Sequence, residues 1–442
     1  MVSELRTQIL QGADTMRRVN RTRVWLRGAR ALVAALFCSG ALIVWPAAAQ
    51  TQDSPAIQPH SGIQLDSVSA YATYYPDGLG ANLVPLQGTP LAPDVGMGAA
   101  ATISWDRVEE RSNISLTYTA DYSGRLRYSA WDALNHRFSL NAARHLTPLW
   151  DFRVTVAAAV ITADQLVLLP GELSAVSPVS SSLLLYGNRA FNSTAAMSLA
   201  YKLSTRTTLS WHASGTRIQR LGNGDAAGQT GVVSFLSQAT TAGAGFEVSH
   251  TLSPRTQVSL DVGTTRLMSG FLDAWTQSAT VAVSRSLSQR WFAAVHGGGG
   301  FIHPAQPVAS LTTGPQYLAG GTLGYKTQAH TFQVTVDRTV GDSYGLGAST
   351  TVSAFGSWYW ARPGSPWSLR VNGGEQQLQH GVLATVDSRQ IAVSVGRVIT
   401  RNLQFTAEYG YMQYSGGALF GTISPSTVRV AMVWRPGLGL LH

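Results

Sequence analysis

The chain has 442 residues with a formal net charge of +9, 12% charged and 45% hydrophobic residues, and 44 glycines. Soluble domains carry about 25% charged residues, so half that complement argues against disorder and against an ordinary water-facing surface. Residues 1–49 hold seven arginines and two acids, which leaves only +4 on the remainder. The basic residues there are scattered, which excludes a nucleic-acid footprint.

Arg17, Arg18, Arg21, Arg23, Arg27 and Arg30 precede an uncharged run over 31–44, and Ala47, Ala48 and Ala49 follow before Gln50. A basic segment, an apolar core and a small-residue end predict a signal peptide over 1–49, with Met16 as an alternative start. A retained span over 31–49 is the rival reading, but Pro46 and the alanines suit a peptidase better. Cys38, the single cysteine, lies in the apolar run behind Phe37 rather than a small residue, so neither a lipid anchor nor a disulfide framework is expected. A short periplasmic segment is expected over 50–62.

Beyond residue 50 no stretch has the roughly 18 consecutive apolar residues of a spanning helix. Period-two alternation recurs instead: Phe332, Val334 and Val336 against Gln333, Thr335 and Asp337, or Leu403, Phe405, Ala407 and Tyr409 against Gln404, Thr406 and Glu408. Similar segments fall at 114–122, 138–142, 152–156, 209–213, 258–262, 367–371 and 428–434. Short turns join them, as in Leu146-Thr-Pro-Leu-Trp150, Leu203-Ser-Thr-Arg-Thr207, Leu252-Ser-Pro-Arg-Thr256 and Leu287-Ser-Gln-Arg-Trp291. Their uneven spacing excludes a fixed-period solenoid or propeller. The connections at the other ends are of very unequal length. Tight turns at one rim and variable loops at the other predict an all-β, transmembrane, antiparallel up-and-down barrel of about 18 strands over 63–436, with a tail at 437–442.

The polar set is mainly Ser, Thr, Gly, Gln and Asn, which suits a wet interior, while the apolar set suits lipid. Trp105, Trp150, Trp291, Trp358, Trp360, Trp367, Trp434, Tyr201 and Tyr325 fall near strand ends, as girdles at the two interfaces require. With these features the chain resembles Gram-negative outer-membrane β-barrels. Units such as Leu252-Ser-Pro-Arg-Thr-Gln-Val-Ser-Leu260 are similar to those of porin-type barrels encoded with exopolysaccharide export systems. The resemblance implies location in the outer membrane and, as partners, outer-membrane lipid and lipopolysaccharide, the barrel-assembly machinery and polysaccharide-export components, with no nucleic acid. Members end on a strand with a terminal aromatic; here Val428, Val430, Met432 and Trp434 alternate, but residues 435–442 extend beyond.

No enzyme is expected. His296-Gly-Gly-Gly-Gly300 is similar to an esterase oxyanion segment, but no Gly-x-Ser-x-Gly turn accompanies it. His212 and Ser214 resemble the His-x-Ser pair of barrel-embedded lipid hydrolases. Alternation with Leu209, Trp211 and Ala213 turns them toward the lumen, whereas those enzymes face the membrane. The ten histidines show no metal-ligand spacing, and no cofactor is expected. The inward set offers Arg153, His212, Glu247, Asp261, Asp337, Arg370 and Glu408 as lumen-lining candidates. Mixed charge of that kind orients permeating solutes, or merely pairs across neighbouring strands. The apolar loop 165–190 is expected to fold into the mouth or onto the rim. Together these features point to a water-filled passage for polar solutes or secreted polysaccharide. A non-conducting scaffold, adhesin or receptor is the alternative, and a lipid hydrolase the remote one.

Overall fold

The computed structural model describes residues 62–76, 92–129, 132–162, 189–221, 238–269, 273–305, 314–342, 348–379, 386–415, 422–424 and 426–436. The signal peptide, most of the 50–62 segment and the 437–442 tail lie outside the described residues. So does the 165–190 loop, except Arg189 and Ala190.

Nineteen strand segments make one sheet: β1 (Gly62–Tyr75), β2 (Asp94–Glu109), β3 (Ser112–Arg125), β4 (Ala133–His145), β5 (Trp150–Thr162), β6 (Arg189–Lys202), β7 (Thr207–Arg220), β8 (Gln238–Ser253), β9 (Thr256–Ser269), β10 (Asp273–Ser286), β11 (Trp291–Pro304), β12 (Pro315–Lys326), β13 (His330–Asp342), β14 (Ala348–Ala361), β15 (Trp367–Gln379), β16 (Val386–Thr400), β17 (Leu403–Ser415), β18 (Thr422–Ile423) and β19 (Ser426–Trp434). Consecutive strands from β1 to β17 pair antiparallel, and β19 pairs with both β17 and β1, so the sheet closes. Both β18 and β19 lie against β17 and together occupy one position, giving an eighteen-stranded barrel. Closure removes the exposed edges that a flat sheet would leave. Among the described residues no helix is long and apolar enough to cross a membrane.

The recurrent turns have a common cause. Thr147, Ser204, Ser288 and Thr327 each accept, on the side-chain oxygen, the backbone N–H three residues on, at 3.0–3.1 Å. A hydroxyl that bonds the backbone locally bends the chain where the ladder must end, so Leu-Ser-x-Arg repeats as a hairpin signal.

Directly paired residues point to the same side, so the registers trace two faces around the barrel. One carries Val68, Met97, Ile103, Val262, Val281, Val295, Val430 and Met432, between 37% and 55% exposed. The other carries Thr73, Asp121, Asn135, His296 and Glu408, all below 9% exposed. Apolar outside and polar inside inverts a water-soluble sheet and matches a lipid-facing barrel. Among the described residues a small buried apolar cluster lies at the long-loop end of β9–β11, where Leu267, Ala274 and Ile302 meet Val340. Stability therefore rests on the ladder rather than on a core.

The nine aromatics assigned to two girdles all face outward at the short-turn end. Trp150 packs on Tyr201 and Trp211 at 4.8 and 5.9 Å, and Trp291 on Tyr325 at 4.7 Å. The long-loop girdle is built from other residues, Tyr122, Trp275, Phe301 and Tyr317, each 43–61% exposed. Strand-end position alone did not tell the two rims apart, because up and down strands alternate.

Candidate functional site

The inner wall is the surface with chemistry. Arg153 on β5 stands between Ala143 and Ser198, and His212 on β7 between Ser198 and Gly245. Glu247 on β8 lies opposite Asp261 on β9, and Asp337 on β13 lies between Gly320 and Ser353. Arg370 on β15 lies between Tyr359 and Ser394, and Glu408 on β17 between Ser394 and Arg429. All seven occupy the inner face.

Two groups form among them. His212 Nε2 sits 3.6 Å from Asp261 Oδ2, with Glu247 on the strand between. Arg370 and Glu408 flank Ser394, and the Arg370 guanidinium lies 5.4 Å from the Tyr359 ring. Arg153 has no ion-pair partner among the described residues and is exposed to the lumen.

A third group is not legible in the alternation of the sequence. The Tyr71 hydroxyl donates to Asp121 Oδ1 at 2.5 Å, and Arg429 stacks on its ring at 3.7 Å. Arg125 stacks on Tyr75 at 3.7 Å and lies 3.8 Å from Asp94 Oδ2. In β1 both alternating sets carry tyrosines, so period two named no inner face. The signal was across the barrel wall, in Gly96 and Gly98 of β2. Tyr71 must cross β2 to reach Asp121 on β3. A Cβ at Gly98 would stand 2.2 Å from the Tyr71 ring and 2.4 Å from the Tyr122 carbonyl oxygen.

The same device recurs under other bulky inward groups. A Cβ at Gly245 would meet His212 Nε2 at 2.2 Å, at Gly324 the Phe292 ring at 1.9 Å, and at Gly374 the Phe355 ring at 2.1 Å. Each ring lies flat along the wall over a missing side chain instead of projecting into the lumen. Between them run hydroxyl pairs, Thr102 with Thr119 at 3.0 Å, Thr216 with Thr241 at 2.5 Å and Thr322 with Thr335 at 3.1 Å, which satisfy one another along the polar face.

Charge is unevenly distributed around the wall. Strands β3–β7 turn Arg125, Arg137, Arg153, Lys202 and Arg220 inward against Asp121 and Asp151. Strands β8–β13 turn Glu247, Asp261 and Asp337 inward, and among their described residues Lys326 at the rim is the only inward lysine or arginine. Positions nine apart in an eighteen-membered ring face each other, so β4, with Arg137, opposes β13, with Asp337.

Hydrolytic chemistry finds no support in this geometry. The His212 ring reaches across β8 to Asp261 on β9, not along β7 to Ser214. The glycines after His296 lie within β11, not in a turn. Among the described residues no group of three or more His, Cys, Asp or Glu is arranged to hold a metal ion.

No protein-family model matches the chain, and neither does any curated protein. Solved structures match it at low identity. OpdO of Pseudomonas aeruginosa is 11% identical over 85% of this chain and 97% of that one, with a TM-score of 0.44. OccAB4 of Acinetobacter baumannii is 10% identical over 86% and 99%, with 0.43. OccK2 of Pseudomonas aeruginosa, solved with glucuronate, is 10% identical over 85% and 100%, with 0.43.

Proposed function

We propose that the chain forms a water-filled passage for polar solutes across the outer membrane of a Gram-negative bacterium. The observation that carries this reading is the inner wall itself: polar, hydroxyl-lined, with its large rings laid flat over glycines. Barrels of 16–18 strands leave an aqueous channel when nothing plugs them. Inverted faces and an aromatic girdle at each end support the membrane location. The two charge arcs support orientation of dipolar solutes by a transverse field, as rings of charge tune pores. A secreted polysaccharide is the extended member of the same solute class, since it offers the same hydroxyls to the Ser, Thr, Asn and Gln of the wall.

Planar-bilayer recording of the full chain, refolded in detergent, tests the passage. Discrete conductance steps are expected. A folded, inserted barrel that carries no current would sink the reading and leave the scaffold or receptor alternative standing.

A further inference from the structure

The outward face is apolar through its middle, yet on β7–β13 three arginines interrupt it at one level. Arg217 on β7, Arg266 on β9 and Arg338 on β13 stand eight residues above Leu209, Val258 and His330, the outward residues near the short-turn end. Eight residues of a strand tilted by about 40° climb roughly 20 Å, which sets these arginines at the upper border of a ~25 Å apolar band. There a guanidinium meets headgroups rather than acyl chains.

The arginines are held, not loose. Arg338 stacks on Tyr317 at 3.9 Å and donates to its carbonyl oxygen at 3.3 Å. Arg266 lies 5.5 Å from the Trp275 ring and pairs with Asp273 at 2.7 Å. Arg217 donates to the side-chain oxygens of Gln219 and Gln238 at 3.2 and 3.5 Å. Among outward side chains described on β7–β13, Asp273 is the only acid, so the arc carries a net positive charge.

We propose that this arc binds a phosphorylated glycolipid of the long-loop leaflet, with the chemistry of lipid A. Phosphates pair with the guanidiniums of Arg217, Arg266 and Arg338. Exposed faces of Trp275, Phe301 and Tyr317 and the amides of Gln219 and Gln238 meet the sugar rings, which phosphatidylglycerol lacks. The arc thus matches phosphate and sugar together. This inference rests on the membrane placement proposed above but not on conductance.

The test is native mass spectrometry of the full chain in detergent micelles, with bisphosphorylated lipid A, phosphate-stripped lipid A and phosphatidylglycerol added in turn. Bisphosphorylated lipid A should be retained at least ten-fold more than either of the others. The double variant Arg217→Gln, Arg338→Gln should lose that preference while keeping its heat-resistant form. Asp273→Asn should increase retention by freeing Arg266, a gain that misfolding does not produce. Equal retention by the double variant, or of phosphate-stripped lipid A, overturns phosphate recognition, and equal retention of phosphatidylglycerol overturns the glycolipid. A chain without a heat-resistant form in micelles would instead sink the membrane placement itself.

Discussion

At the scale of the residue, the inner wall depends on pairs of one large and one absent side chain. Tyr71 and Gly98 form such a pair, because the ring occupies the volume a Cβ would fill and carries its hydroxyl to Asp121. Gly98→Ala should destabilise the barrel by about 1–3 kcal/mol, since the added methyl meets both a ring and a backbone oxygen. Tyr71→Phe keeps the ring and removes a charge-assisted hydrogen bond, at a cost of about 1.5–3 kcal/mol. Urea unfolding in micelles measures both. Combining Gly98→Ala with Tyr71→Ala should cost less than the sum of the two single changes, because they share one clash. Strict additivity would mean that the ring does not sit over Gly98.

At the scale of the element, a strand has two faces that tolerate opposite chemistry. On β13, Val334 pairs with Leu323 and Gly356 on the outer face, and Thr335 meets Thr322 on the inner one. Arginine at a lipid-facing mid-bilayer site costs about 2–4 kcal/mol, whereas a wet lumen solvates it. Val334→Arg should therefore reduce the heat-resistant band seen by electrophoresis of membranes, and Thr335→Arg should leave it intact. Equal tolerance at both sites would contradict a lipid-facing outer wall. The turns obey an equally local rule. Thr147, Ser204, Ser288 and Thr327 end a strand by accepting a nearby N–H, which is why a hydroxyl residue recurs at these turns.

At the scale of the whole molecule, the distribution of charge around the ring matters more than any single residue. Arg153 projects into the lumen from the basic arc, and Asp337 belongs to the acidic one. Reversal potentials under a salt gradient report the balance between the arcs. Arg153→Glu should shift them toward cation selectivity and Asp337→Asn toward anion selectivity, by opposite signs in otherwise similar conductance. A shift of the same sign in both variants would mean that these side chains do not face the permeating ions. Raising the ionic strength should shrink both shifts, since the Debye length falls from ~10 Å at 0.1 M to ~3 Å at 1 M.

Period two is a property of a few consecutive residues, because successive side chains alternate sides whatever the strand pairs with. For that reason the strands, the short turns and the polar-inside inversion were readable in order along the chain, from residues such as Phe332 to Asp337 and Leu403 to Tyr409. The inner side chains of β1 were not, since Tyr71, Tyr74 and Tyr75 put aromatics in both sets and only pairing with Gly96 and Gly98 separates them. Nor did alternation say that His212 reaches Asp261 across a glycine, or that Trp150 and Trp434 share a rim while Trp275 lies at the other. Those relations join residues far apart in the chain. They follow from register and from the closure of β19 onto β1, which long-range backbone hydrogen bonds set and no local pattern encodes. The sequence by itself determined what each strand shows to water and to lipid; the closed barrel decided which side chains meet.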